Sequence, residues 1–121
     1  MFSIGSSGEI CLTRGDTARI DVNINQGTSM NPVKYIIQPG DEIYFGLMEP
    51  NQPFEQAILK KKLTSKDLVD STLFIILNPK DTMCLLPGLY YYQIKAKIFN
   101  PAINDFMVNT IINKKRFYIE E

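Results

Sequence analysis

The sequence predicts an all-β protein: an antiparallel sandwich of about seven to nine short strands, one domain over residues 1–121, with a single helical turn near 79–85. Three observations predict it. Apolar and polar residues alternate with the period of a half-buried strand in several stretches. Pro, Gly and Asn punctuate the intervals between them. No segment carries the period of an amphipathic helix over a useful length. The chain has 121 residues, enough for one core and too few for two, and its 45% apolar and 21% charged residues place it outside the compositions that stay disordered.

In order along the chain, "EICLT" at 9–13 is a short strand candidate, followed by the turn "TRGDT". In "TARIDVNIN", 17–25, Ala18, Ile20, Val22 and Ile24 fall on one face and Arg19, Asp21 and Asn23 on the other. A long loop, "NQGTSMNPVKYIIQ", leads through a short candidate strand at 35–37 and the turn Pro39-Gly40 into "DEIYFGLME", 41–49, with Ile43, Phe45 and Leu47 inward. "EPNQP" then turns the chain into "QAILKKKL", 56–63. "TLFIILN", 72–78, points Leu73, Ile75 and Leu77 inward.

In "NPKDTMCLLPG", Asn78 caps a helical turn, Pro79 takes its first position and Gly88 closes the exit. Asp81 answers the exposed backbone N–H groups at its start. The longest strand, "GLYYYQIKAKIF" at 88–99, places Tyr90, Tyr92, Ile94, Ala96 and Ile98 inward and Tyr91, Gln93, Lys95 and Lys97 toward water. A helical turn feeding a strand that opens with Tyr90 matches the tyrosine corner of immunoglobulin-like sandwiches, whose hydroxyl bonds back to the preceding crossover. After the turn "NP" at 100–101 come "FMVNTIIN", 106–113, a turn at "NKK", 113–115, and a last strand "RFYIE", 116–120.

Composition narrows the chemistry. Thirteen basic residues balance thirteen acidic ones, so there is no net field to gather nucleic acid or an anionic membrane. No His is present, which removes the commonest general base and metal ligand. The start lacks the basic and apolar regions of a signal peptide and no stretch is long and apolar enough to span a bilayer as a helix, so a cytoplasmic origin is expected. Cys11 and Cys84 match no metal spacing and are expected to be buried or half-buried reduced thiols.

Each remaining candidate feature also has a plainer structural role. Arg14-Gly15-Asp16 has the form of an adhesion tripeptide, but Gly15 and Asp16 are turn formers between two strands. Alternation divides Tyr90, Tyr91 and Tyr92, sending two into the core. Lys60-Lys61-Lys62 and Lys114-Lys115-Arg116 fit strand edges and hairpin tips, where lysine discourages edge-to-edge pairing. Asp16, Asp41, Asp67, Asp70, Asp81 and Asp105 sit at turns or strand entries and form no acid–base pair, calcium loop or two-metal site. No catalytic, cofactor or metal residue is nominated, and no enzyme activity is expected.

The order "LTRGDTARIDVNI", "PGDEIYFGLME", "ILKKKL", "IILNPKDTMCLLPGLYYYQIKAKI" and "NTIINKKRFYIEE" resembles a family of small phage virion proteins of immunoglobulin-like fold, similar to the N-terminal domain of upper baseplate proteins in phages of Gram-positive hosts. Arg14, Gly15, Asp16, Thr17, Gly40, Asp41, Asp81, Thr82, Leu85, Gly88, Tyr90, Tyr92, Thr110 and Ile111 carry the resemblance, which runs from about Leu12 onward. The long loop departs from the family, and no shaft or receptor-binding segment follows the last strand.

The resemblance implies a non-enzymatic structural module of a virion, in the tail, baseplate or neck, with capsid decoration a variant. Its partners would be other virion proteins and further copies in a ring, without nucleic acid or membrane; it would reside in the virion, and in the host cytoplasm during assembly. Phe74 and Ile76, apolar and outward on their strand, are the expected contact surface. The alternatives are a host-surface or carbohydrate-binding module using Tyr44, Tyr91 and Phe99, and an accessory domain of an enzyme complex.

Overall fold

The computed structural model describes residues 2–4, 8–27, 30 and 32–121. Its strands are β1 (Phe2–Ile4), β2 (Ile10–Thr13), β3 (Ala18–Val22), β4 (Ile24–Gly27), β5 (Pro32–Tyr35), β6 (Glu42–Met48), β7 (Leu59–Thr64), β8 (Leu73–Leu77), β9 (Gly88–Asn100) and β10 (Asp105–Glu120). A short helix, α1 (Pro79–Met83), crosses from β8 to β9. One sheet has the order β1-β2-β10-β9-β6-β7, and β3 pairs with β8 in a second. β4 and β5 form a separate hairpin from the long loop, of which residues 28, 29 and 31 lie outside the described residues.

The fold is all-β, as the alternation predicts, and β10-β9-β6-β7 opposite β3-β8 is the arrangement of an immunoglobulin-like sandwich. Between the sheets lie Ile20, Val22, Ile43, Phe45, Ile75, Tyr92 and Ile94, joined by Ile10, Leu12, Phe117 and Ile119. Each large aliphatic or aromatic group buried there contributes roughly 1.5–3 kcal/mol. The rings of Phe45 and Tyr92 stack at 5.9 Å between centroids, and Phe117 meets Tyr92 edge-on at 6.2 Å. The corner forms as expected: Tyr90 Oη donates to the Leu86 carbonyl at 2.7 Å.

Several expectations are corrected. Not every pairing is antiparallel: β2 runs parallel to β10, from Ile10 opposite Phe117 to Thr13 opposite Glu120, with the connection between them passing through strands of both sheets. No turn forms at 113–115. Instead β10 is one continuous strand with register shifts after Thr110 and Ile112, and the Asn113 side chain accepts the Lys114 N–H at 2.8 Å. Asn113 thus bonds its own backbone as foreseen, yet produces an irregularity within a strand. Lys114, Lys115 and Arg116 therefore lie inside β10, not at a hairpin tip.

The candidate strand at 35–37 ends at Tyr35, and the one at 56–63 begins only at Leu59, because Phe54–Gln56 takes a 3₁₀ turn. Ile98 is half-buried, since β9 runs on past the opposing sheet at that point. Gln93, expected in water, is buried: the Phe54 ring lies over its cross-strand neighbour Gly46, where an added Cβ would come within 2.6 Å of the ring. Gly88 opens β9 rather than closing α1, which ends at Met83 with Cys84 as its C-cap. Thr82 takes the buried position of that crossover and leaves Cys84 exposed; Cys11 is half-buried.

Candidate functional site

The residues of the expected structural motif gather at the two ends of β9. At the first end, Gly15 adopts φ +86° in the turn after β2, and its N–H donates to Thr82 Oγ1 at 3.0 Å. The Arg14 N–H donates to the Glu120 carbonyl at 2.7 Å, and the Asp16 N–H to Thr13 at 3.0 Å. Arg14-Gly15-Asp16-Thr17 is thus a turn clasped between the last strand and the crossover. Asp81 accepts the Asn78 N–H at 2.7 Å and meets Lys61 Nζ at 2.8 Å. Burial pushes its carboxyl up, but Lys61 and the Asn78 N–H outweigh this and hold it below the ordinary value.

At the other end, Gly40 takes φ +95° and turns the chain into Asp41, which is 1% exposed. One Asp41 oxygen accepts the Tyr35 hydroxyl and the Gln38 N–H, the latter at 2.9 Å; the other accepts the Phe99 N–H at 3.1 Å. Burial, followed by the Asp41 hydrogen bond and charge, pushes the Tyr35 hydroxyl up to about 12. This buried carboxylate ties the loop before β6 to the far part of β9. The sequence marks Asp41 only as a turn residue; one of its three hydrogen bonds comes from the Phe99 N–H, 58 positions away.

Beyond that tie, β9 and β10 form an arm. β6 pairs with β9 only as far as Lys97, whereas the hairpin continues through Ile98–Met107, Phe99–Phe106 and Asn100–Asp105. β2 pairs with β10 only from Phe117 onward. Among the described strands, none pairs with the other edge of β10 over residues 105–116. Residues 101–110 are all exposed, including Ile103, Phe106, Met107 and Val108. The rings of Phe99 and Phe106 meet edge-on at 5.4 Å, with Lys97 Nζ 5.2 Å from the Phe106 centroid.

The inner side of the arm continues the core face of the large sheet past the end of β3. It forms an open cleft of about 640 Å³ against Asn23 and Ile24, floored by Ile98, Met107, Asn109 and Ile111. All its lining residues are neutral. It therefore offers apolar surface and amide hydrogen bonds but no charged group. Among the described residues no three His, Cys, Asp or Glu side chains are placed to hold a metal, and no helix is long and apolar enough to cross a membrane.

The expected contact pair is only half available. Ile76 is 49% exposed, but the Arg19 guanidinium lies 3.4 Å from the Phe74 centroid and covers that ring. The basic runs are engaged within the chain: Lys60 donates to the Glu55 carbonyl, Lys61 and Lys62 pair with Asp81 and Glu42, and Lys114 donates to the Gln52 carbonyl. Hydrogen bonds with Tyr118, then Tyr91, raise the Arg116 pKa. Tyr44, Tyr91 and Phe99 share the outer face but do not converge. Tyr44 sits beside Lys95, so the three are spaced four β9 positions apart, about 13 Å.

Sequence reasoning missed the arm. Its signal was the apolar run Phe106-Met107-Val108 beyond the last expected core position. No protein-family model, curated protein or solved structure matches this chain.

Proposed function

We propose that the protein is a non-enzymatic structural module of a phage particle, in the tail, baseplate or neck, that acts by docking the β9–β10 arm against other virion proteins. The observation that carries this reading is the arm itself: an open strand edge beside a neutral, partly apolar cleft, rooted by the Asp41 hydrogen bonds. Edge strands left open invite pairing, so natural proteins cover or disrupt them unless a partner is intended. The residues on which the resemblance to virion proteins rests occupy turns and clasps at the root of the arm and at the opposite end of the sandwich.

Mass spectrometry of purified particles tests the proposal. The chain is expected among particle proteins at a copy number matching a ring or capsid symmetry. Its absence from particles, or substrate turnover by the purified protein, overturns it.

A further inference from the structure

The open edge of β10 has two unlike halves. From Ile111 to Arg116 the register is interrupted twice and the strand carries Lys114, Lys115 and Arg116. Bulges and lysines are devices that keep a foreign strand away. From Asp105 to Thr110 the register against β9 is unbroken and contains no Lys, Pro or Gly. Within it Phe106, Met107 and Val108 are 38%, 41% and 63% exposed. One half of the edge is guarded and the other half is left flat, apolar and open.

Resting on the arm as a contact surface, we propose that its first partner is a second copy of this chain. Residues 105–110 of the two copies pair antiparallel about a two-fold axis through Met107, joining the large sheets edge to edge. Residues opposite one another in a sheet must point to the same face, so such a symmetric pairing centres on a single residue. Centred on Met107, it sets Phe106 against Val108 of the partner subunit twice, Met107 against the partner's Met107, and Asp105 against the partner's Asn109. Aromatic and β-branched residues make favourable cross-strand pairs.

Neighbouring registers are worse. Centring on Phe106 opposes Asp105 to Met107, and centring on Val108 opposes Met107 to Asn109 and Phe106 to Thr110. Centring on Asp105 brings two carboxylates together, and Asn109 brings in the irregular segment. With Phe99 and Ile103, the arm presents roughly 400–500 Å² of apolar side chain, within the range of the largest patch on a monomer. These side chains point from both faces of the arm, so edge pairing covers only their flanks and the strand edges, less than the ~1,200 Å² at the lower end of standard interfaces. The pair should therefore associate reversibly.

Sedimentation of the purified full chain from about 1 µM to about 1 mM should show the mass rising toward a dimer. Val108→Lys, at an exposed position, should remain monomeric with an unchanged circular dichroism spectrum. In a Cys11→Ser, Cys84→Ser background, Met107→Cys should oxidise to a disulfide-linked dimer, because its Cα lies about 5 Å from its mate. Phe106→Cys should not, its mate lying two residues out of register. A wild-type chain that stays monomeric throughout, or equal cross-linking at both positions, overturns the proposal. Monomeric wild-type protein whose Val108→Lys variant is excluded from particles overturns self-pairing alone and leaves the arm as a contact for other proteins.

Discussion

Asp41→Asn should loosen the root of the arm at a cost on the order of 2–4 kcal/mol. The native carboxylate accepts three hydrogen bonds at a site 1% exposed: the Tyr35 hydroxyl and Gln38 N–H on one oxygen, the Phe99 N–H on the other. An amide of the same shape keeps one acceptor oxygen. Facing Tyr35 and Gln38, it turns its NH₂ toward the Phe99 N–H, donor against donor; flipped, it sets its NH₂ against the Gln38 N–H and keeps Tyr35 only if that hydroxyl reverses to accept. Either way a buried donor is left unsatisfied, which costs about 1–3 kcal/mol, and the bonds that remain lose their ionic strengthening. Tyr35→Phe removes one bond and should cost about 1 kcal/mol. Urea unfolding of both variants and the double mutant should show non-additive losses, and hydrogen exchange at Phe99 should accelerate in Asp41→Asn. A loss below about 0.5 kcal/mol for Asp41→Asn, or strict additivity with Tyr35→Phe, would refute the role assigned to the carboxylate.

Raising the pH should remove the Tyr35 contribution on a definite schedule. The folded-state pKa is raised from 10.0 to about 12, so the stabilisation is complete below pH 10 and disappears as pH climbs toward 12. Urea midpoints across that window, with Tyr35→Phe showing a shallower decline, check this. Ile94→Ala, at a position with no exposed surface, should cost about 2–5 kcal/mol by equilibrium unfolding, while preserving the β-type circular dichroism spectrum. Gly15→Val should destabilise by more than the ~1–2 kcal/mol charged to an ordinary residue at positive φ, and Gly15→Asn by less; equal unfolding midpoints for the two variants would contradict the turn's left-handed geometry.

The strands that lie wholly within the sandwich were legible because their chemistry is local. In β3 and β8 each inward residue is two positions from the next, and Ile20, Val22, Leu73, Ile75 and Leu77 read directly as one face. The Tyr90 corner was legible because donor and acceptor are four residues apart. What escaped depends on distant partners. Nothing near Gln93 announces that Phe54 will lie over its cross-strand neighbour Gly46, and nothing near Phe74 announces that Arg19 will cover its ring. The continuity of β10 through Asn113 was misread because an Asn-Lys-Lys run has the composition of a turn, while β9 opposite it holds the strand extended. The arm escaped for the same reason: Met107 is left uncovered by where β3 stops, and the strand edge beside Phe106 and Val108 by where β2 stops, and neither follows from its own neighbourhood.

The parallel pairing of β2 with β10 also bears on how quickly the molecule can fold. It joins residues more than a hundred positions apart, and neither strand can complete the large sheet without the other. Closing so long a loop costs entropy before any contact returns it, so this step belongs late on the pathway and should make folding slow for a chain of this size. Until it closes, Ile10, Leu12, Phe117 and Ile119 lack their native cover, and β10 exposes the edge that β2 will occupy. Strand-rich intermediates of that kind aggregate readily. Refolding yield should therefore fall with protein concentration more steeply than native stability would indicate, with the deficit arising before the two ends meet.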